Sequence, residues 1–139
     1  MEEPETGAIE SVDHLAWAVR SLAEAKPRFE RTYGMTEVGR LEVEGLEIAY
    51  MRSGSVMFEL LAPTTEDSDL ARLIDEHGEG LHHIAYGVGS AADALEAAAD
   101  RGMKPLDQAP KPGGLGTTVA FALPEHEGAL PAQFVEQPD

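Results

Sequence analysis

Four residues of this 139-residue chain have the types and spacing to do chemistry: His14, Glu59, His83 and Gln133. The histidines come as a matched pair. The stretch VDHLAWAV (12–19) overlays LHHIAYGV (81–88), which puts His14 and His83 in one column. Both stretches read as buried strands. Alternation then sets His14, Ala16 and Ala18 against Leu15, Trp17 and Val19, and His83, Ala85 and Gly87 against Ile84, Tyr86 and Val88. The bulky faces are expected to pack on helices, and the histidine faces, with small neighbours, to leave space before each imidazole. Either histidine alone reads as a core residue satisfied by local hydrogen bonds; the matched pair reads as a site. In SVMFELLAP, Glu59 stands among Val56, Met57, Phe58, Leu60 and Leu61. An unpaired carboxylate buried there costs several kcal/mol, so it calls for a cation, a metal or a proton. The repeat sets Gln133 of PAQFVEQ against Glu59, with Glu136 the nearest rival. Two imidazoles, a carboxylate and an amide oxygen suit an open six-coordinate divalent ion completed by water.

The elements that must position these groups are written twice. After His14, SLAEAKPRFERTYG opens with Ser21 and Glu24 in a capping-box pattern and lines Leu22, Ala25, Phe29 and Tyr33 along one helical face. Pro27 should kink or shorten this helix, and Gly34 should stop it. After His83, Ser90 and Asp93 repeat the start, an alanine-rich helix follows, and Gly102 ends it. Strand-rich segments complete each half: LEVEGLEIAYMRSGSVMFELLAP in the first, TTVAFALP and AQFVEQ in the second. The chain is therefore expected to be one domain, 1–139, of two repeats at about 10–63 and 79–137. A connector with a short helix (Leu70, Leu73, Ile74) joins them.

Composition narrows the partners. The chain has 26 acidic residues against 10 basic, a formal net charge of −16. Such a surface repels nucleic acid and anionic membranes, so neither is an expected partner; the expected ligand is a small molecule. With no cysteine, disulfide frameworks, thiolate metal sites and cysteine nucleophiles are excluded. No apolar run reaches transmembrane length and the acidic start is unlike a signal peptide, so the expected location is cytoplasmic. The acidity suits either a salt-rich cytoplasm or a simple need for solubility.

The stretches VDHLAWAV, FELLAP, GEGLHHIAYGV, GGLGTTVAFALP and GALPAQFVEQ, in this order, resemble the vicinal oxygen chelate superfamily of glyoxalase I, bleomycin-resistance proteins and extradiol dioxygenases. The double histidine followed by the glycine-rich turn is most similar to the methylmalonyl-CoA epimerase branch. The resemblance implies an α+β fold of paired βαβββ modules forming a curved, partly open mixed sheet around a metal. It places the ligands at His14, Glu59, His83 and Gln133, for one divalent ion (cobalt, nickel, manganese, iron or zinc). In the epimerases two acidic residues exchange a proton on opposite sides of the substrate carbon while the metal stabilises the enolate. Here those base positions fall on Gln133, which takes no proton, and on Val43, with Glu42 and Glu44 in reach by a register shift. Glu59 could itself be the base. The expected activity is proton transfer of the epimerase or isomerase kind on a bidentate oxygen substrate. The alternatives are a glyoxalase-I-like lyase, a non-haem iron oxygenase, or a drug-binding resistance protein without chemistry. An acyl-CoA substrate would need cations, and Lys104 and Lys111, beside Arg101, form the best candidate patch. Relatives dimerise and sheet edges need partners, so a homodimer is expected.

Overall fold

The computed structural model describes residues 7–43 and 45–139. Among these, three helices and nine strands alternate in the order expected of an α+β chain: β1 (Ile9–Ala18), α1 (Leu22–Tyr33), β2 (Thr36–Val43), β3 (Leu46–Ser53), β4 (Val56–Pro63), α2 (Asp69–His77), β5 (Gly80–Val88), α3 (Ala91–Asp100), β6 (Lys104–Pro105), β7 (Lys111–Pro112), β8 (Thr118–Leu123) and β9 (Ala132–Glu136). They gather into two compact units, His14–His82 and residues 7–13 with His83–Asp139.

In the first unit β1 pairs parallel with β4, β4 antiparallel with β3, and β3 antiparallel with β2. The parallel pair needs a crossover, which α1 and the β2–β3 hairpin supply. Helix α1 packs Leu22, Ala25 and Phe29 on Val19, Ala49, Met51, Leu60 and Ala62, with Trp17 and Phe58 at the margin. Each large side chain removed from water there stabilises by roughly 1.5–3 kcal/mol. The Trp17 and Phe29 rings meet edge to face, 5.9 Å between centroids. Pro27 does not shorten the helix, which runs on to Tyr33 before Gly34 closes it in the left-handed conformation (φ 67°). Ser21 holds the N-cap position, but its hydroxyl makes no capping bond, so the expected capping box is not formed. Helix α2 forms over the expected Leu70, Leu73 and Ile74; Ser68 at its N-cap accepts Ala71 N–H at 3.1 Å, and Ala71 and Ile74 are its buried residues.

The second unit repeats the topology. β5 pairs parallel with β9, β9 antiparallel with β8, and β8 antiparallel with both β6 and β7. The counterpart of β2 is thus broken into two short pieces. Pro105, Pro110 and Pro112 explain the break, because each removes a ladder donor. Helix α3, capped by Ser90 on Asp93 N–H at 3.2 Å, lays Ala94, Leu95 and Ala98 on Ala120, Ala122, Ala132 and Phe134. Gly87 has a definite steric reason: a Cβ there would collide with the Ser11 hydroxyl.

Candidate functional site

Register decides what each unit can do. In the first, Ala16 on β1 faces Glu59 on β4. His14, two residues earlier on the same face, therefore sits on the diagonal from Glu59. Its Nε2 lies 3.1 Å from Glu59 Oε2, with His14 6% exposed. In the second unit Ala85 on β5 faces Gln133 on β9, so His83 stands on the same diagonal from Gln133. His83 is 5% exposed, and Gln133 Oε1 is sealed from solvent without a hydrogen-bond partner among the described residues. Two copies of one strand motif thus each bring an imidazole beside an oxygen donor.

The antiparallel neighbours extend the equivalence to a residue the sequence reading passed over. Tyr50 on β3 lies directly across from Glu59, and Phe121 on β8 directly across from Gln133. The Phe121 ring packs edge to face on His83, 5.2 Å between centroids. The histidine faces are therefore not left open as strand composition alone suggested. The adjacent strands furnish them, Ala16 clustering with Ile48, Tyr50 and Leu61, and Ala85 with Val119 and Val135. A signal for Tyr50 existed. The hairpin turns on Gly54 (φ 60°) between paired Ser53 and Val56, and counting three residues outward on each strand reaches Tyr50 and Glu59. Burial, and secondarily the Glu59 charge, push the Tyr50 phenol above its ordinary range.

The other candidates fall as follows. Glu136 is spent on α3, where its Oε1 accepts Ala91 N–H at 2.9 Å. Glu42 is exposed and pairs with Glu47, on the face of β2 opposite Leu41, so the structure does not bring it to Glu59. Val43, paired with Leu46, takes the Leu41 face instead. Glu44 lies outside the described residues. Lys111 extends its ammonium over the Phe121 ring, 5.5 Å from the centroid, and is held there by Asp107 Oδ1 at 3.1 Å. The other oxygen of Asp107 accepts Phe121 N–H at 2.8 Å. Lys104 is exposed on β6 across from Leu123. His82 is half-buried, and burial pushes its imidazole below the ordinary range. His77 and His126 are exposed.

No group of three or more His, Cys, Asp or Glu gathers among the described residues. What each unit does offer fits a divalent ion in donor type. The imidazole nitrogens, the Glu59 carboxylate and the orphaned Gln133 amide oxygen are ligands such ions accept. No helix among the described residues is long and apolar enough to cross a membrane.

Known proteins share this fold. The family model described as the glyoxalase/bleomycin resistance protein/dioxygenase superfamily matches residues 13–121. An uncharacterised protein of Bacillus subtilis, YqjC, is 29% identical over 127 residues, covering 90% of this chain and 91% of that one. The human mitochondrial methylmalonyl-CoA epimerase is 26% identical over 122 residues, 86% of this chain and 69% of its own length. Among solved structures, a variant of the Streptomyces coelicolor methylmalonyl-CoA epimerase in complex with 2-nitronate-propionyl-CoA superposes with a TM-score of 0.84 at 25% identity, covering 95% of this chain and 100% of the other.

Proposed function

The chain belongs to the glyoxalase/bleomycin resistance protein/dioxygenase superfamily, and from that premise we propose a metal-dependent enzyme that moves a proton on a substrate presenting two oxygens, most like methylmalonyl-CoA epimerase. In this reading His14, Glu59, His83 and Gln133 hold one divalent ion, whether cobalt, nickel, manganese, iron or zinc. The observation that supports it is the repeated diagonal, His14 to Glu59 across β1 and β4 and His83 to Gln133 across β5 and β9. The bound ion would polarise the chelated oxygens and so acidify the adjacent carbon.

The chain's own groups supply the rest. Glu59 is the base in this reading, which is supported by its position beside His14, Nε2 to Oε2 at 3.1 Å. Ile48 and Leu61 beside it keep the surroundings apolar, which strengthens every electrostatic contact made there. Lys111, fixed by Asp107, is the cation to meet an anionic end of the substrate. The S. coelicolor complex with an acyl-CoA analogue supports an acyl-CoA as that substrate. The protein works in this reading as a cytoplasmic homodimer, pairing through edges such as β2, where Val38 and Val43 are exposed.

A second reading is a drug- or ligand-binding protein without chemistry, favoured by the amide at Gln133 and by Val43 where a second base would stand. Elemental analysis of the purified and remetallated protein separates the two. About one equivalent of divalent metal, with solvent deuterium entering methylmalonyl-CoA, supports the enzyme. Failure to bind cobalt, nickel, manganese, iron or zinc in excess would sink it.

A further inference from the structure

The two copies of the motif have diverged in one respect that bears on substrate recognition. The strand positions across from the oxygen donors hold Tyr50 in one unit and Phe121 in the other. Both are aromatic, and both share a face with a histidine and an oxygen donor. They differ by a hydroxyl, and the hydroxyl lies on the side that also has the carboxylate. The body of Tyr50 is 9% exposed and packs with Ala16, Ile48 and Leu61. A phenylalanine would fill that apolar cluster as well, as Phe121 does beside His83. Gln133 Oε1 is sealed from solvent without a partner among the described residues, whereas the Tyr50 hydroxyl is not among the atoms so sealed. The ring thus fills the apolar cluster while the hydroxyl beside Glu59 is a donor that a ligand can meet.

We infer that Tyr50 is a specificity-determining residue, whose hydroxyl donates a hydrogen bond to an oxygen of the bound substrate on the Glu59 side. The ligand class that follows is a compound with at least one carbonyl, carboxylate or enolate oxygen in reach of that hydroxyl. An apolar ligand of the same shape would leave the donor buried and unmet, which costs affinity. This assignment rests on the proposed site and adds to it a donor beside Glu59, on the neighbouring strand of the same unit.

The test is calorimetric binding of 2-nitronate-propionyl-CoA to the metal-loaded protein and to Tyr50→Phe, with metal content measured on both. Affinity about 10- to 100-fold weaker in the variant, at unchanged metal content, is the expected result. Equal affinities would overturn the role of Tyr50 and leave the proposed function standing. Loss of metal from Tyr50→Phe would overturn it too, since the hydroxyl would then serve the metal site and not the ligand. No binding by the wild type, with no metal retained, would remove the parent reading and this one together. A second measurement covers a variant that folds poorly. The wild type labelled with 3-fluorotyrosine has three fluorine resonances, from Tyr33, Tyr50 and Tyr86. The Tyr50 signal alone should move when the probe is added, and a stationary Tyr50 signal would refute the contact.

Discussion

His14 and Glu59 meet at their tips, Nε2 to Oε2 at 3.1 Å, from neighbouring parallel strands. Neither side chain could choose this partner by local sequence, since a whole helix and a hairpin intervene. The contact exists because β1 and β4 pair in a register that sets Ala16 against Glu59. A shift of one residue would turn Glu59 to the helix side, where Leu60 and Ala62 now pack. The same register in β5 and β9 sets Ala85 against Gln133, so the pairing of strands, not the individual residues, is the inherited feature.

Removing the oxygen donors should rank them. Glu59→Ala takes away a charged ligand and Gln133→Ala a neutral one, so cobalt affinity should fall further in the first. His83→Ala should fall at least as far as Glu59→Ala. Cobalt titration followed by visible absorption measures all three. Wild-type affinity in both Glu59→Ala and His83→Ala would be incompatible with the proposed ligand set.

Glu136→Ala separates the two acceptors that the end of the chain offers. Glu136 accepts Ala91 N–H at the start of α3, where a negative charge also suits the helix dipole. The substitution should cost about 0.5–2 kcal/mol, the range for losing a helix cap, and should leave metal binding as it was. Urea unfolding and elemental analysis check the two halves. Loss of metal without loss of stability would mean that Glu136, not Gln133, belongs to the site.

The repeat, the two histidine faces and Glu59 were legible because strand periodicity and a second copy of the motif each constrain the reading. The helix stop at Gly34 was legible from backbone freedom alone. What escaped is what depends on cross-strand register: Tyr50 opposite Glu59 and Phe121 opposite Gln133. The first is fixed by a tight turn at Gly54 that could have been counted, whereas Phe121 is linked to Gln133 through the longer stretch from Pro124 to Pro131. Glu42 shows the same dependence. A bulge between Glu37 and Gly39 shifts the register of β2 against β3, and such a shift exchanges the faces of every later residue. The Lys111–Asp107 pair was half legible, as a cation in a loop without the carboxylate that fixes it over Phe121.

Trp17 is the single tryptophan and reports on the first unit. Its edge-to-face contact with Phe29 joins β1 to α1 around a buried ring. Phe29→Ala should destabilise by about 3–5 kcal/mol, the usual cost of emptying an aromatic core position. It should also redden and weaken the Trp17 emission as water reaches the indole. Urea titration followed by fluorescence tests both. An unchanged midpoint would show that α1 contributes little to the core it covers.

Tyr50 gives the protein an alkaline limit whose sign can be worked out. Its phenol is held above the ordinary value of 10.0, mainly by burial and then by the Glu59 charge. The folded state therefore binds the phenolic proton more tightly than the unfolded state does. That contribution to stability is fully present below about pH 10 and is lost as pH rises through the raised folded value. Tyr50→Phe has no such proton, so the gap in urea midpoint between about pH 8 and pH 11 should be smaller in the variant than in the wild type, both treated with chelator. Glu59→Gln should keep most of the wild-type gap, because burial is the larger cause. If Glu59→Gln instead removes the gap as fully as Tyr50→Phe, the carboxylate would be the dominant influence on the phenol, and the apolar wall of Ile48 and Leu61 the lesser one.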